Sequence, residues 1–245
     1  MCECCKNDIL EANLAICPLC KSSVAAKTGK CPGREVSGRE GLSDCDWISD
    51  HDWFSDYDWR EWMCPDCEVP FFWLGVVGWR EGALAKVIKD FKYESVRAAG
   101  EVLAELMDAR LPRDLAKVAG EAEGEADIVG SEVVVVPLPT IGRHVRERGL
   151  DHTLMIAKKL ARRRGWKCER LLGRATDTVQ VGTKAAERRE QAAQTYEVRG
   201  KVEVEKIYLL VDDVWTTGAT MLAAEKVLRE AGARRIAGIV LATGR

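Results

Sequence analysis

IYLLVDDVWTTGAT, residues 207–220, is an apolar strand that runs into two adjacent carboxylates, a Thr/Gly turn and the start of a helix. The run Ile207–Val211 has strand length and character, and Ala219–Glu230 spaces Ala, Leu and Val at helical intervals before the stop signal Ala231-Gly232. Ile236–Leu241 predicts a second buried strand, so the three elements make one right-handed parallel crossover. Ligands of such sheets bind at the carboxyl ends of the strands. Strands that end in Asp and helices that open on Thr are common in α/β proteins, but a plain cap needs one such residue. Here Asp212, Asp213, Thr216, Thr217, Gly218 and Thr220 fall within nine positions. Carboxylates accept sugar hydroxyls or hold a metal, and N–H groups with hydroxyls at a helix N-terminus favour an anion. A phosphorylated ribose suits both ends.

The string VDDVWTTGAT at 211–220 resembles, at every fixed position, the DDxxTTGxT loop that binds phosphoribosyl pyrophosphate (PRPP) in the type I phosphoribosyltransferases. That resemblance implies that Asp212 and Asp213 are the catalytic pair, binding the ribose hydroxyls directly or through Mg²⁺. It implies that Thr216, Thr217, Gly218, Ala219 and Thr220 cradle the 5′-phosphate. Upstream, VVVVPLPTIGRHVRERGLDHTLMIAKKLA is similar to the first strand and pyrophosphate loop of the ComF/GntX branch of that family. The strand Val133–Val136 must end at Pro137-Leu138-Pro139, because two prolines fix φ and withhold donors. By the resemblance Leu138, Pro139, Thr140 and Arg143 belong to the pyrophosphate loop. Asp151-His152 stands where the branch has Asn-Gln.

A third similar segment, RATDTVQVGTKAAERREQAAQTYEV at 174–198, is a basic excursion between strands. In the family's pattern it would close over the pyrophosphate, excluding water and bringing Lys184, Arg188 or Arg189 as counter-charges. Read from its residues alone, it is equally a solvated amphipathic helix in which Glu187 and Glu190 balance the arginines.

The sequence has 245 residues, enough for one or two domains, and a net charge of −2 with 31% charged residues, which implies no general attraction to polyanions. The cluster Arg162–Arg164 reads as a helix C-terminus. No signal peptide opens the sequence and the longest apolar runs are of strand length, so a soluble cytoplasmic protein without membrane insertion is expected.

Nine of the ten cysteines lie in the first 67 residues, and Cys168 stands apart. Pairs with CxxC spacing occur at Cys2/Cys5, Cys17/Cys20 and Cys64/Cys67. Without an export signal, such pairs point to zinc thiolates rather than disulfides. Cys2, Cys5, Cys17 and Cys20 make one tetrahedral set, with eleven residues between the pairs, and Cys31, Cys45, Cys64 and Cys67 make a second, leaving Cys4 over. One or two structural zinc ions are expected. Between Cys45 and Cys64 runs a repeat of period six, DWISDH, DWFSDY and DWREWM at 46–63, readable as an aromatic, acidic partner surface or as a zinc-bounded loop with buried tryptophans.

From Trp79 the composition turns helical. ALAKVIKDFKYESVRAAGEVLAELMDARLP predicts two amphipathic helices broken near Tyr93–Ser95, and it is similar to the ComF segment that carries a hydrophobic-Lys-Tyr motif. Residues 119–132 are rich in Gly, Glu and Asp and predict an exposed linker. The expected organisation is a Cys-rich zinc-ribbon region at 1–78, a helical connector at 79–118, the linker at 119–132, and a type I phosphoribosyltransferase-like α/β domain at 133–245, its mostly parallel sheet flanked by helices.

The resemblance implies displacement of pyrophosphate from C1 of PRPP by a nucleophile, with Mg²⁺ and basic residues stabilising the leaving group. The acceptor stays open. A transferase acting on an unidentified nitrogen acceptor, a PRPP-binding regulator without turnover, and a ComF-like factor for imported single-stranded DNA or the DNA-uptake machinery all fit, and a homodimer is compatible with each.

Overall fold

The computed structural model describes residues 6, 70–93, 97–124, 130–140, 142, 145–146, 149–174 and 196–244. All eight of the cysteines assigned above to zinc, the 46–63 repeat, Arg143, Lys184 and Arg188 lie outside the described residues.

In chain order the elements are β1 (Trp73–Trp79), α1 (Gly82–Tyr93), α2 (Arg97–Arg110), α3 (Leu115–Glu123), β2 (Val133–Pro137), α4 (His152–Arg164), β3 (Lys167–Cys168), β4 (Leu172–Arg174), β5 (Tyr196–Val198), β6 (Ile207–Trp215), α5 (Ala219–Glu230) and β7 (Arg235–Thr243). A five-stranded sheet has the order β1-β7-β6-β2-β3, every pair parallel, and β4 with β5 makes a separate antiparallel ribbon. The protein is thus α/β, with a parallel central sheet flanked by helices.

Parallel strands covered on both faces read as continuous apolar runs, and VVVV and IYLLV are such runs. Successive side chains divide between two cores. Val133, Val135, Ile207, Leu209 and Val211 face the helices α1 to α4, while Val134, Val136, Tyr208 and Leu210 face α5 and the β4–β5 ribbon. Each alternation follows from the period of two in an extended chain.

The helices carry explicit start and stop chemistry. Asp151 caps α4 by accepting from the Leu154 N–H at 3.1 Å, and Gly165, at φ 69°, closes the helix after Arg162–Arg164. Those arginines reach α2 rather than solvent polyanions. Glu101 takes Lys159 at 2.7 Å and Arg162 at 3.3 Å, and Arg164 pairs with Asp108. Arg164 also donates to the carbonyls of Asp108 at 2.8 Å, Pro112 at 3.0 Å and Arg113 at 3.2 Å, satisfying the turn that ends α2.

Two boundaries differ from those the sequence suggests. Residues 73–79 form an edge strand of the main sheet, paired Trp73↔Ala237 through Trp79↔Thr243, so the expected break at 78 falls inside β1. The first part of the expected 119–132 linker is helical. Asp114 caps α3 by accepting from the Lys117 N–H, Gly124 ends it at φ 71°, and Ala119 is fully buried.

Arg164 is testable as the clasp between α2 and α4. Arg164→Ala should lower stability by about 1–3 kcal/mol, because it strands several carbonyls. Arg164→Lys should recover little of that loss, since an ammonium lacks the guanidinium fork. Urea denaturation of the three proteins checks this, and equal midpoints for wild type and Arg164→Ala would contradict it.

Candidate functional site

The crossover from β2 through α4 leads outward to β3, and the crossover from β6 through α5 leads the other way to β7. Strands β2 and β6 are neighbours, so the chain reverses direction between them and opens a crevice at their carboxyl ends. Register fixes what meets there. Val133↔Ile207 runs through to Pro137↔Val211, and the Leu138 N–H donates to the Val211 carbonyl at 3.0 Å. Leu138 therefore leaves β2 level with Asp212, which continues in β6 beside Val240 of β7.

A cavity of about 230 Å³ lies at that point, lined by Lys92, Leu138, Pro139, Thr140, Thr153, Arg174, Tyr196, Asp212, Asp213 and Thr220. Six of these residues come from the two loops singled out in the sequence: Asp212, Asp213 and Thr220 from the first, and Leu138, Pro139 and Thr140 from the second. Thr216, Thr217 and Gly218 form the turn after β6 and Ala219 opens α5, and none of the four lines this cavity.

The turn itself has a steric reason for its glycine. Gly218 adopts φ 74°, and a Cβ there would stand 2.2 Å from Cζ2 of the buried Trp215. Only glycine tolerates both constraints. Gly218 also occupies the N-cap of α5, and the Ala219 N–H donates to Thr217 Oγ1 at 3.4 Å. The hydroxyl residues Thr216, Thr217 and Thr220 are exposed around it.

The loop after β2 is anchored to α4. Thr140 Oγ1 donates to Asp151 Oδ1 at 3.1 Å, the same oxygen that caps the helix. His152 is buried with its ring edge-on to Phe91, at 4.8 Å between centroids. The Asp-His pair thus has structural employment, and Thr153, next along, reaches the cavity.

Two adjacent carboxylates in a half-buried wall repel each other. Burial first, and then the charge of Asp213, pushes Asp212 up to about 7, while the Asp213 N–H, Lys92 and Arg174 pull it down. The Asp213 N–H donates to Asp212 Oδ1 at 2.8 Å. Lys92, in the last turn of α1, forms an ion pair with Asp213, their side chains 15% and 22% exposed.

Oxygen-only donors of this kind fit Mg²⁺, which prefers one or two carboxylates with water and substrate phosphates to a closed protein cage. A divalent cation would also offset the repulsion within the pair. Cys168, the one cysteine among the described residues, is half-buried, and burial pushes its thiol up to about 11, which disfavours the thiolate at neutral pH.

Four lining residues escaped the sequence reading. Lys92 sits in the Phe91-Lys92-Tyr93 segment, which carried a resemblance signal but was read as a connector. Arg174 and Tyr196 bound the basic excursion, and only their pairing across β4 and β5 reveals them. Thr153 gave no local signal.

No protein-family model matches the chain, and no curated protein matches it. Among solved structures, an allosteric regulatory enzyme of purine biosynthesis is similar at a TM-score of 0.37 and 21% identity, over 62% of this chain and 29% of that one. The chain thus matches less than a third of that enzyme's length. Among the described residues, no helix is long and apolar enough to cross a membrane.

The Asp212 carboxyl supplies a pH test. Its folded pKa is raised to about 7 from 3.8, so between those values the folded protein holds more protons than the unfolded chain. The stability this group contributes is complete below the lower value and is lost as pH rises through the upper one. In EDTA, Asp212→Asn should melt close to wild type below about pH 4 and progressively higher above it, reaching several degrees at pH 8, at roughly 2–4 °C per kcal/mol. A variant that melts at or below wild type at pH 8 would contradict the raised pKa.

Proposed function

We propose that the chain is a type I phosphoribosyltransferase-like protein that binds PRPP with Mg²⁺ and transfers the phosphoribosyl group to an unidentified acceptor, releasing pyrophosphate. The observation that carries this reading is the convergence of Asp212, Asp213 and Thr220 with Leu138, Pro139 and Thr140 on one cavity at the sheet's reversal point. The resemblance to the type I phosphoribosyltransferases at 211–220, and to their ComF/GntX branch at 133–161, adds to it.

In this reading the acidic pair holds the ribose hydroxyls, and Thr216 to Thr220 hold the 5′-phosphate at the start of α5. Leu138 to Thr140 hold the pyrophosphate. When bound, Mg²⁺ would spread the negative charge of the leaving group. A nucleophile attacks C1 while the bond from C1 to the pyrophosphate oxygen breaks, its electron pair leaving with pyrophosphate. The fixed loops contribute positioning and electrostatic preorganisation, and the chain's own residues need not act as nucleophile. Arg143, Lys184 and Arg188 join the pyrophosphate end in the same proposal. Cys2, Cys5, Cys17 and Cys20 are proposed to hold one zinc ion, and Cys31, Cys45, Cys64 and Cys67 a second, on the strength of their spacing.

Thermal denaturation with and without PRPP and Mg²⁺ tests the binding. At a hundredfold excess over the dissociation constant, PRPP should stabilise the protein by about 2.7 kcal/mol, dependent on Mg²⁺. The double variant Asp212→Asn, Asp213→Asn should lose that gain. An unchanged response in the double variant, or none in wild type, would sink the assignment. Pyrophosphate release across a panel of nucleobases and amines then separates transferase from non-catalytic PRPP binder.

A further inference from the structure

We infer that Lys92 is a built-in counter-cation that keeps free divalent metal off Asp213, so that the acidic pair meets the sugar without a metal of its own; this rests on the PRPP reading of the cavity. Lys92 lies outside both loops. It is the last-turn lysine of α1, and among the described residues it is the cation within ion-pair distance of either carboxylate.

The alternation along β6 explains how the pairing arises. Successive side chains of an extended chain project to opposite faces, and Val211 faces the layer of α1 to α4 while Leu210 faces α5 and the β4–β5 ribbon. Asp213, two residues beyond Val211, shares the helical layer, and Lys92 meets it there. Asp212, two residues beyond Leu210, belongs to the other layer, which supplies Tyr196 with Arg174 over its ring. The two carboxylates thus draw on different layers for their counter-charge.

Lys92 is held in place by the helix that carries it. Leu84, Ile88 and Phe91 bury one face of α1, and Lys92, four residues after Ile88, stands one turn further along. The Phe91 ring is edge-on to the buried His152 at the start of α4, which fixes that last turn. Ammonium and carboxylate are both mostly buried, where salt screens their attraction less than at the surface. The helix dipole also favours a cation at this end of α1.

A free divalent ion at Asp213 would have to displace this tethered ammonium or sit beside it against like charge. The ammonium balances the charge of the pair as such an ion would, but it has three donors and no coordination shell to fill. Sugar hydroxyls therefore find carboxylate acceptors directly. The cavity then admits divalent metal together with the phosphates of the ligand and not ahead of them.

Full-length protein titrated with Mn²⁺ alone, the free ion read by electron paramagnetic resonance, tests this. Wild type should bind Mn²⁺ weakly. Lys92→Met loses the charge and keeps the apolar stem, and it should bind Mn²⁺ about tenfold more tightly or better; the gain should vanish in the double variant Lys92→Met, Asp213→Asn. Lys92→Gln should show the same gain, and it decides the question if the Met variant does not fold. Ribose 5-phosphate should bind wild type equally, within about twofold, with or without added Mg²⁺. Mn²⁺ affinity unchanged in the Lys92 variants, a gain that survives Asp213→Asn, or ribose 5-phosphate that binds wild type only with Mg²⁺ would overturn the role of Lys92 and leave the PRPP reading standing. Wild type that binds neither ribose 5-phosphate nor PRPP would instead overturn the PRPP reading, while the Mn²⁺ series still decides whether Lys92 guards Asp213.

Discussion

The parallel pairing of β2 with β6 is the constraint on which everything at the site depends. Val133 to Pro137 lie beside Ile207 to Val211, and the proline ends its strand level with the residue before the acidic pair. A slip of one residue would exchange the two cores, moving Val134, Val136, Tyr208 and Leu210 to the wrong face of the sheet. It would also separate Leu138 from Asp212. The same apolar side chains that stabilise the sheet thus set the relative height of the two loops.

That register creates an electrostatic problem, and the rest of the fold answers it. Two adjoining carboxylates stand in a half-buried wall, where burial and mutual repulsion oppose ionisation of Asp212. The counter-charges come from elements far apart in the chain. Lys92 arrives from the end of α1, which reaches the sheet because Leu84, Ile88 and Phe91 are buried against it. Arg174 arrives from the β4–β5 ribbon, braced on Tyr196. Helix α1 is therefore a wall of the site rather than a spacer before it.

Much of the sheet was legible in the sequence because buried parallel strands leave an unbroken apolar signature, and Ile207–Val211, Ile236–Leu241 and Val133–Val136 all fall within observed strands. Helix α5 matches its expected span because its spacing and its Gly232 stop are local signals. Strand β1 was not legible. Its glycines and its position next to Cys67 gave it the look of the Cys-rich region, and its partner β7 lies more than 150 residues away. Lys92 and Arg174 were missed for the same physical reason: a charge at a helix end or a strand end acquires its meaning from what packs against it, and no periodicity records that.

The departure at Asp151-His152 belongs with these cases. One carboxylate oxygen both starts α4 and takes the Thr140 hydroxyl, so the loop after β2 is tethered to a helix cap. In the proposed function this tethered loop and the turn after β6 grip opposite ends of one ligand. A crystal structure with PRPP and Mg²⁺ tests that most directly. The 5′-phosphate is expected against Thr216–Thr220, the ribose hydroxyls at Asp212 and Asp213, and the pyrophosphate against Leu138–Thr140. A ligand bound in the reverse sense, or away from the β2–β6 crevice, would contradict it.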